Sequence, residues 1–294
     1  MPSLKDIRGR IGSVRNIAQI TRAMEMVAAS RMKRAQDAIL AARPYAEELE
    51  AALRRVAGAA SEEVDPLLAR RPVHRVAIIF ITTDRGLVGS LNANATRAVL
   101  RWVAQRAQER SGDRPVEIEA ITIGRKGRDA IRRAGVPIAA HFAQLGERPS
   151  FADVTPIARL VTEDFLAEKY DEIDIAYSTF VSTLSQKPEV DRILPVVQPE
   201  MEAEAQETND EYLFEPSPEA VLSRLLPHYV AIGIYRAVLE NNASEQSARM
   251  IAMRNSTDNA NELIDDLTLV YNKTRQATIT REMIEIASGA EALG

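Results

Sequence analysis

Ala243, Gln246, Met250, Met253, Thr257, Ala260, Ile264, Leu267, Tyr271, Thr274 and Thr278 step along the chain by three and four residues in strict alternation. A heptad pattern kept without a slip holds one helix face against a partner helix, which is the signature of a coiled coil. Its small and polar members, Gln246, Thr257, Thr274 and Thr278, make it a thin, partly wet seam. The helix carrying it is expected over residues 217–294.

A second long helix is expected over residues 1–57. Leu4, Ile7, Ile11 and Val14 open a stripe that Ala18, Thr21, Met24 and Ala28 continue, and at 1.5 Å per residue the helix would extend ~80 Å. Pro44 removes a backbone donor and should kink or break it. If both helices spring from the middle of the chain they lie antiparallel, with Gly58 near Ser217, and facing residues have numbers summing to about 275. Ile7 then meets Leu267, Ile11 meets Ile264, Val14 meets Ala260, Thr21 meets Met253 and Met24 meets Met250. Everything after about Arg275 has no partner in this register. A lone helix bearing Ile279, Met283, Ile284, Ile286, Ala287 and Leu293 is unstable and adhesive in water, so it must project into another protein.

Between the helices the period changes. Val76 to Thr82 is a continuous apolar, β-branched run, as in a strand buried on both faces. Ile118 to Ile123, Ile138 to Phe142 and Ile173 to Val181 are further strand candidates. Helical stretches at 94–110, 126–134 and 156–170 separate them, the last with Pro156 at its first position after a Thr155 cap. Strands alternating with helices predict a doubly wound, mainly parallel sheet domain over 72–197. A linker is expected at 58–71, and an acidic linker or foot at 198–216 that nonetheless holds Tyr212-Leu213-Phe214. The expected fold class is α/β with a long antiparallel coiled coil made by the terminal helices.

The formal net charge of -5 argues against a nucleic-acid binder. The charge is uneven: Lys5 to Arg34 is basic, and Glu200 to Glu219 holds acids and no base. A basic arm on nucleic acid is disfavoured further because the seam buries the face such an arm would present. With no cysteine and only His74, His141 and His228, neither a disulfide framework nor a metal cluster is expected, and no cofactor is called for. No window approaches the ~20 apolar residues of a membrane span, so membrane association is expected to be peripheral.

Thr83-Asp84-Arg85-Gly86-Leu87-Val88-Gly89-Ser90-Leu91-Asn92 follows a strand and opens a helix, where a glycine-rich turn could cradle a phosphate. Its spacing matches neither common nucleotide fingerprint, and no base, nucleophile or carboxylate pair accompanies it. Two readings stand, a structural turn and a nucleotide-sensing loop. The polar run Arg275 to Glu282 likewise reads either as an exposed helix face or as side chains that bond a surrounding protein.

Four motifs resemble those of the ATP synthase gamma subunit family, in the family's order: Ile20-Thr21-Arg22-Ala23-Met24-Glu25-Met26-Val27-Ala28-Ala29-Ser30; Thr83-Asp84-Arg85-Gly86-Leu87-Val88-Gly89; Tyr212-Leu213-Phe214-Glu215-Pro216; and Glu245-Gln246-Ser247-Ala248-Arg249-Met250, continuing through Arg275-Gln276-Ala277-Thr278-Ile279-Thr280 to Ala290. The resemblance implies a non-catalytic rotor shaft inside a ring of alternating alpha and beta subunits. Its base would stand beside an epsilon subunit on a membrane ring of c subunits, peripherally, at the cytoplasmic face of a bacterial inner membrane. It further implies that Arg275, Gln276, Thr280 and Glu282 contact a beta subunit with Met24 close by, that Ile284, Ile286 and Leu293 turn within an apolar collar, and that Tyr212 and Glu215 lie near the rotor ring. Val88 stands where many relatives carry cysteine, and the cysteine pair of light-regulated relatives is missing.

Overall fold

The computed structural model describes residues 3–59, 65–111, 114–143, 145–196 and 215–291. In chain order the elements are α1 (Leu4–Ala59), β1 (Arg75–Ile81), α2 (Leu91–Arg106), the two-residue strands β2 (Arg110–Ser111) and β3 (Arg114–Pro115), β4 (Glu117–Ile123), α3 (Arg125–Arg133), β5 (Ile138–Phe142), α4 (Phe151–Leu166), β6 (Glu172–Ser182), β7 (Ser185–Leu194) and α5 (Pro218–Glu291). They form two compact units, residues 30–248 and residues 1–29 with 249–294.

The larger unit is built on a five-stranded sheet of order β5-β4-β1-β6-β7. β1 lies parallel to both β4 and β6, β4 parallel to β5, and β7 antiparallel to β6. β1 is central because nearly all of it is apolar: Val76 to Ile81 are buried. Its alternate side chains feed two cores, as the pleat requires. Ala77, Ile79 and Ile81 pack with Val154, Ile157 and Val161 of α4, with Leu226, Val230 and Ile234 of α5 and with Leu53 and Val56 of α1. Ile78 and Phe80 pack with Ala95 and Val99 of α2 and Ile131 of α3. Helices therefore cover both faces, and the fold is the doubly wound, mainly parallel one expected.

Three details differ from the sequence expectations. Pro44 does not break α1, which continues through it. The turns beyond it are fixed by Leu49, Leu53 and Val56, all buried, and that packing outweighs one lost backbone bond. Pro156 is not a first helical residue but lies inside α4. Ser150 starts that helix, its N–H and hydroxyl both donating to Asp153 Oδ2 at 2.8 and 2.7 Å. These bonds hold the Asp153 carboxyl below its ordinary value. Finally, β7 was not expected. Its sequence, Ser-Gln-Lys-Pro-Glu-Val-Asp-Arg-Ile-Leu, is that of a sheet edge, where charges and a proline are tolerated on the unpaired side.

A capping box begins α1. Asp6 N–H donates to Ser3 Oγ (3.2 Å) and Ser3 N–H to Asp6 Oδ2 (3.1 Å). Hydrogen bonding from the Ser3 side chain and from the Ser3 N–H keeps the Asp6 carboxyl charged to lower pH than usual.

Candidate functional site

The smaller unit pairs the first half of α1 with α5 from about residue 249 to Thr278 in antiparallel fashion. Ile7, Ala18 and Ala28 of α1 and Met253, Thr257 and Ala260 of α5 are buried. The other expected seam residues, Ile11, Val14, Met250, Ile264 and Leu267, are half-buried, as is Met24. Two helices alone cannot enclose large side chains, so the fully buried positions are mostly small ones.

The register is fixed by polar contacts. Thr21 Oγ1 lies 2.7 Å from Thr257 Oγ1, Arg8 Nη2 donates to Tyr271 Oη at 2.6 Å with its guanidinium 5.5 Å from the ring centroid, and Arg254 Nε donates to Glu25 Oε1 at 3.1 Å. Thr21 thus bonds the seam residue one turn beyond Met253, its expected partner. The expected register is corrected by up to one turn. A seam repeating every turn looks alike after such a slip, whereas threonine-to-threonine and arginine-to-tyrosine pairing does not.

Beyond Thr278, which is half-buried, every residue of α5 from Ile279 to Ser288 is exposed. Ile279 is 46 % exposed, Met283 62 %, Ile284 60 % and Ile286 72 %. Arg275, Gln276, Thr280 and Glu282 are exposed too, and neither Arg275 nor Gln276 bonds another described residue. Glu215 is exposed; Tyr212 and Leu293 lie outside the described residues. The structure thus brings Arg275, Gln276, Thr280, Glu282, Ile284 and Ile286 onto one helical segment, and Glu215 belongs to the larger unit.

The glycine-rich turn is closed by its own bonds. Thr83 Oγ1 donates to Arg85 O (2.6 Å) and accepts from Asn92 Nδ2 (2.8 Å). Leu87 and Gly89 take left-handed φ of 64° and 54°. The backbone donors that open α3 are spent as well: Arg125 N–H on Asp84 Oδ1 (2.8 Å), Lys126 N–H on Thr83 O (3.1 Å) and Gly127 N–H on Thr82 Oγ1 (2.8 Å). A helix start that binds phosphate offers such donors outward; this one turns them inward to join β1, β4 and α3. The bonds of Thr83 with Arg85 and Asn92, which close the loop on itself, support the structural-turn reading.

Gly124 sets the closeness of that junction. Its φ is +93°, and a Cβ there would lie 2.2 Å from Thr82 O. Gly124→Ala is expected to lower stability by about 2–3 kcal/mol, measured by urea unfolding of the full chain; a loss under ~0.5 kcal/mol would show that the junction yields freely.

The described residues hold no group of three or more His, Cys, Asp or Glu able to bind a metal, and no helix of the described residues is long and apolar enough to cross a membrane.

Comparison with known proteins places these features. A family model described as ATP synthase matches residues 3–293. The chain is 48% identical to an ATP synthase gamma chain of Dehalococcoides mccartyi over 295 aligned residues, covering 100% of both. Among solved structures it is similar to a chain of the central stalk and c-ring of Tetrahymena thermophila mitochondrial ATP synthase, with TM-score 0.59 and 25% identity over 80% of this chain and 98% of that one. A chain of the Euglena gracilis mitochondrial ATP synthase shares the fold at TM-score 0.66 and 20% identity, over 99% of this chain and 94% of that one. The chain therefore belongs to the ATP synthase gamma-chain family, and is a non-catalytic subunit that forms the central shaft of that enzyme.

Proposed function

We propose that this shaft couples an ion-driven turn of a membrane ring of c subunits to conformational change at catalytic beta subunits. The observation that carries the reading is the end of α5, where a helix with four large apolar side chains stands exposed after its partner helix has ended. Isolated helices of that length are marginal in water, so an enclosing protein is needed to make this one a rigid axle. A collar of alpha and beta subunits supplies it, with Ile284, Ile286 and Leu293 turning inside. Arg275 and Gln276 reach a beta-subunit loop, Thr280 and Glu282 line the same contact, and Met24 lies near it. Tyr212 and Glu215 belong to the foot, beside an epsilon subunit and the ring, at the cytoplasmic face of a bacterial inner membrane. A single asymmetric shaft in a threefold ring presents a different face to each catalytic site, so turning it moves each site through the same sequence of nucleotide affinities.

Replacing Arg275 and Gln276 together by Ala tests the contact. Charge-assisted hydrogen bonds are worth ~1.5–3 kcal/mol when well made, so ATP synthesis by the reconstituted complex is expected to fall about tenfold or more. Because both side chains lack partners within the described chain, the thermal midpoint of the subunit should barely move. Wild-type coupling in the double variant would remove the beta-subunit contact from the reading.

A further inference from the structure

β6 outlasts its neighbour. Its pairing with β1 ends at Phe80 opposite Ala176, yet β6 continues to Ser182. On the β1 side, the backbone of buried Ser178 and half-buried Phe180 has therefore lost its strand partner where water reaches it poorly and unpaired peptide groups are costly. Side chains of α5 take the missing strand's role. Ser178 N–H donates to Asn241 Oδ1 (3.3 Å), Ser178 O accepts from Ser244 Oγ (2.8 Å), Phe180 N–H donates to Glu240 Oε2 (2.9 Å), and in the turn just past the end of β6 Thr183 O accepts from Ser247 Oγ (2.6 Å). Positions 240, 241, 244 and 247 share one helix face. Asn241, Ser244 and Ser247 are 5 %, 0 % and 0 % exposed.

We propose that this ladder is a rotational lock through which torque passes between the sheet and helix α5. The apolar contacts of α5 with the sheet, through Val230 and Ile234, resist separation but are non-directional, so they oppose turning of the helix about its own axis only weakly. Hydrogen bonds to a fixed strand edge are directional and fail when the helix turns. Asn242 adds a tether to a second place, donating to Glu147 O at 3.2 Å. Whichever end of the shaft is driven, any share of the load borne by the sheet crosses these bonds. The inference rests on the shaft role.

The test uses the complete enzyme with Ser244→Ala and Ser247→Ala in this subunit, and a rotation probe on a cysteine introduced at Arg101, which is exposed in a chain with no native cysteine. Removing two of the four directional bonds should about double the angular variance of the probe within a dwell, since variance scales inversely with stiffness. Val230→Ala, a buried apolar truncation in the same helix, should lower the thermal midpoint yet leave the variance unchanged. If the double variant does not assemble, Ser247→Ala alone is expected to broaden the dwell in the same direction. An unchanged variance, or equal broadening by Val230→Ala, would overturn the lock. A wild-type probe that never rotates would instead refute the shaft role itself.

Discussion

Replacing Arg106 by Met is expected to cost about 3–5 kcal/mol of folding stability, because it leaves buried carboxylates short of a partner. Arg106 ends α2. Its Nη1 bonds Glu109 at 2.6 Å, and its Nη2 contacts Glu172 and lies 3.7 Å from Asp174. Arg192, on β7, bonds Glu172 at 2.6 Å and also contacts Asp174. The cluster joins α2, β6 and the edge strand β7, and only 5% of the Asp174 side chain is exposed. Burial pushes the Asp174 carboxyl above its ordinary value, while Arg192 and Arg106 pull it back.

Loss of Arg106 should push that carboxyl higher still, which fixes the pH dependence. A group whose folded pKa lies above its unfolded value contributes stability below the unfolded pKa and loses it as pH rises through the folded one. The deficit of the variant should accordingly be larger near neutral pH than in mild acid, and adding Asp174→Asn should recover part of it. Urea unfolding of the full chain at the two pH values provides the measurement. A deficit under ~1 kcal/mol, the range of an exposed pair, would show that the cluster is solvated.

What could be read from the sequence followed from how strongly each element's environment dictates its residues. Val76 to Ile81 announce a strand because both faces are buried and nothing but apolar side chains fits there. Ser185 to Leu194 carry no such signal: β7 has one neighbour, and Lys187, Glu189 and Asp191 keep its outer edge from pairing with another chain. At α4 two start signals compete, Thr155-Pro156 and Ser150 with Asp153 three residues on. The second prevails because starting at Phe151 extends α4 by a turn and buries Val154 against the sheet.

The candidate site followed the same logic. That Arg275 and Gln276 lie where the pairing runs out was legible because counting residues in two helices shows where one ends, and the exposure of residues 279–288 follows from that count. The hydrogen-bond ladder from Asn241 to Ser247 was not legible. Nothing in the sequence states that β6 outlasts β1, and without that fact Asn241, Ser244 and Ser247 read as polar residues with no assigned partner. The seam gave direction and approximate level, but a repeat cannot report a slip of its own period.

That ambiguity is open to a direct chemical test. With Thr21 Oγ1 and Thr257 Oγ1 2.7 Å apart, the two Cβ atoms are close to the ~3.5–4.5 Å separation of a disulfide. Thr21→Cys with Thr257→Cys should therefore cross-link almost completely within one chain under mild oxidation, and with no native cysteine no competing thiol exists in the chain. Met24→Cys with Met250→Cys, the pair favoured by the uncorrected register, should couple poorly. If Thr21 is level with Thr257, Met24 is level with Arg254, and Met250 lies about 6 Å further along the helix. The Cα atoms of that second pair then exceed the ~6.8 Å a disulfide allows. The Thr21–Thr257 link would close a loop spanning 236 residues, and by chain entropy it should stabilise the paired helices by up to about 5 kcal/mol, seen as a rise in the thermal midpoint that disappears on reduction. Efficient coupling of the Met24 and Met250 variants, with little at Thr21 and Thr257, would return the helices to the uncorrected register and shift the end of the pairing by a turn, carrying the proposed beta-subunit contact at Arg275 with it.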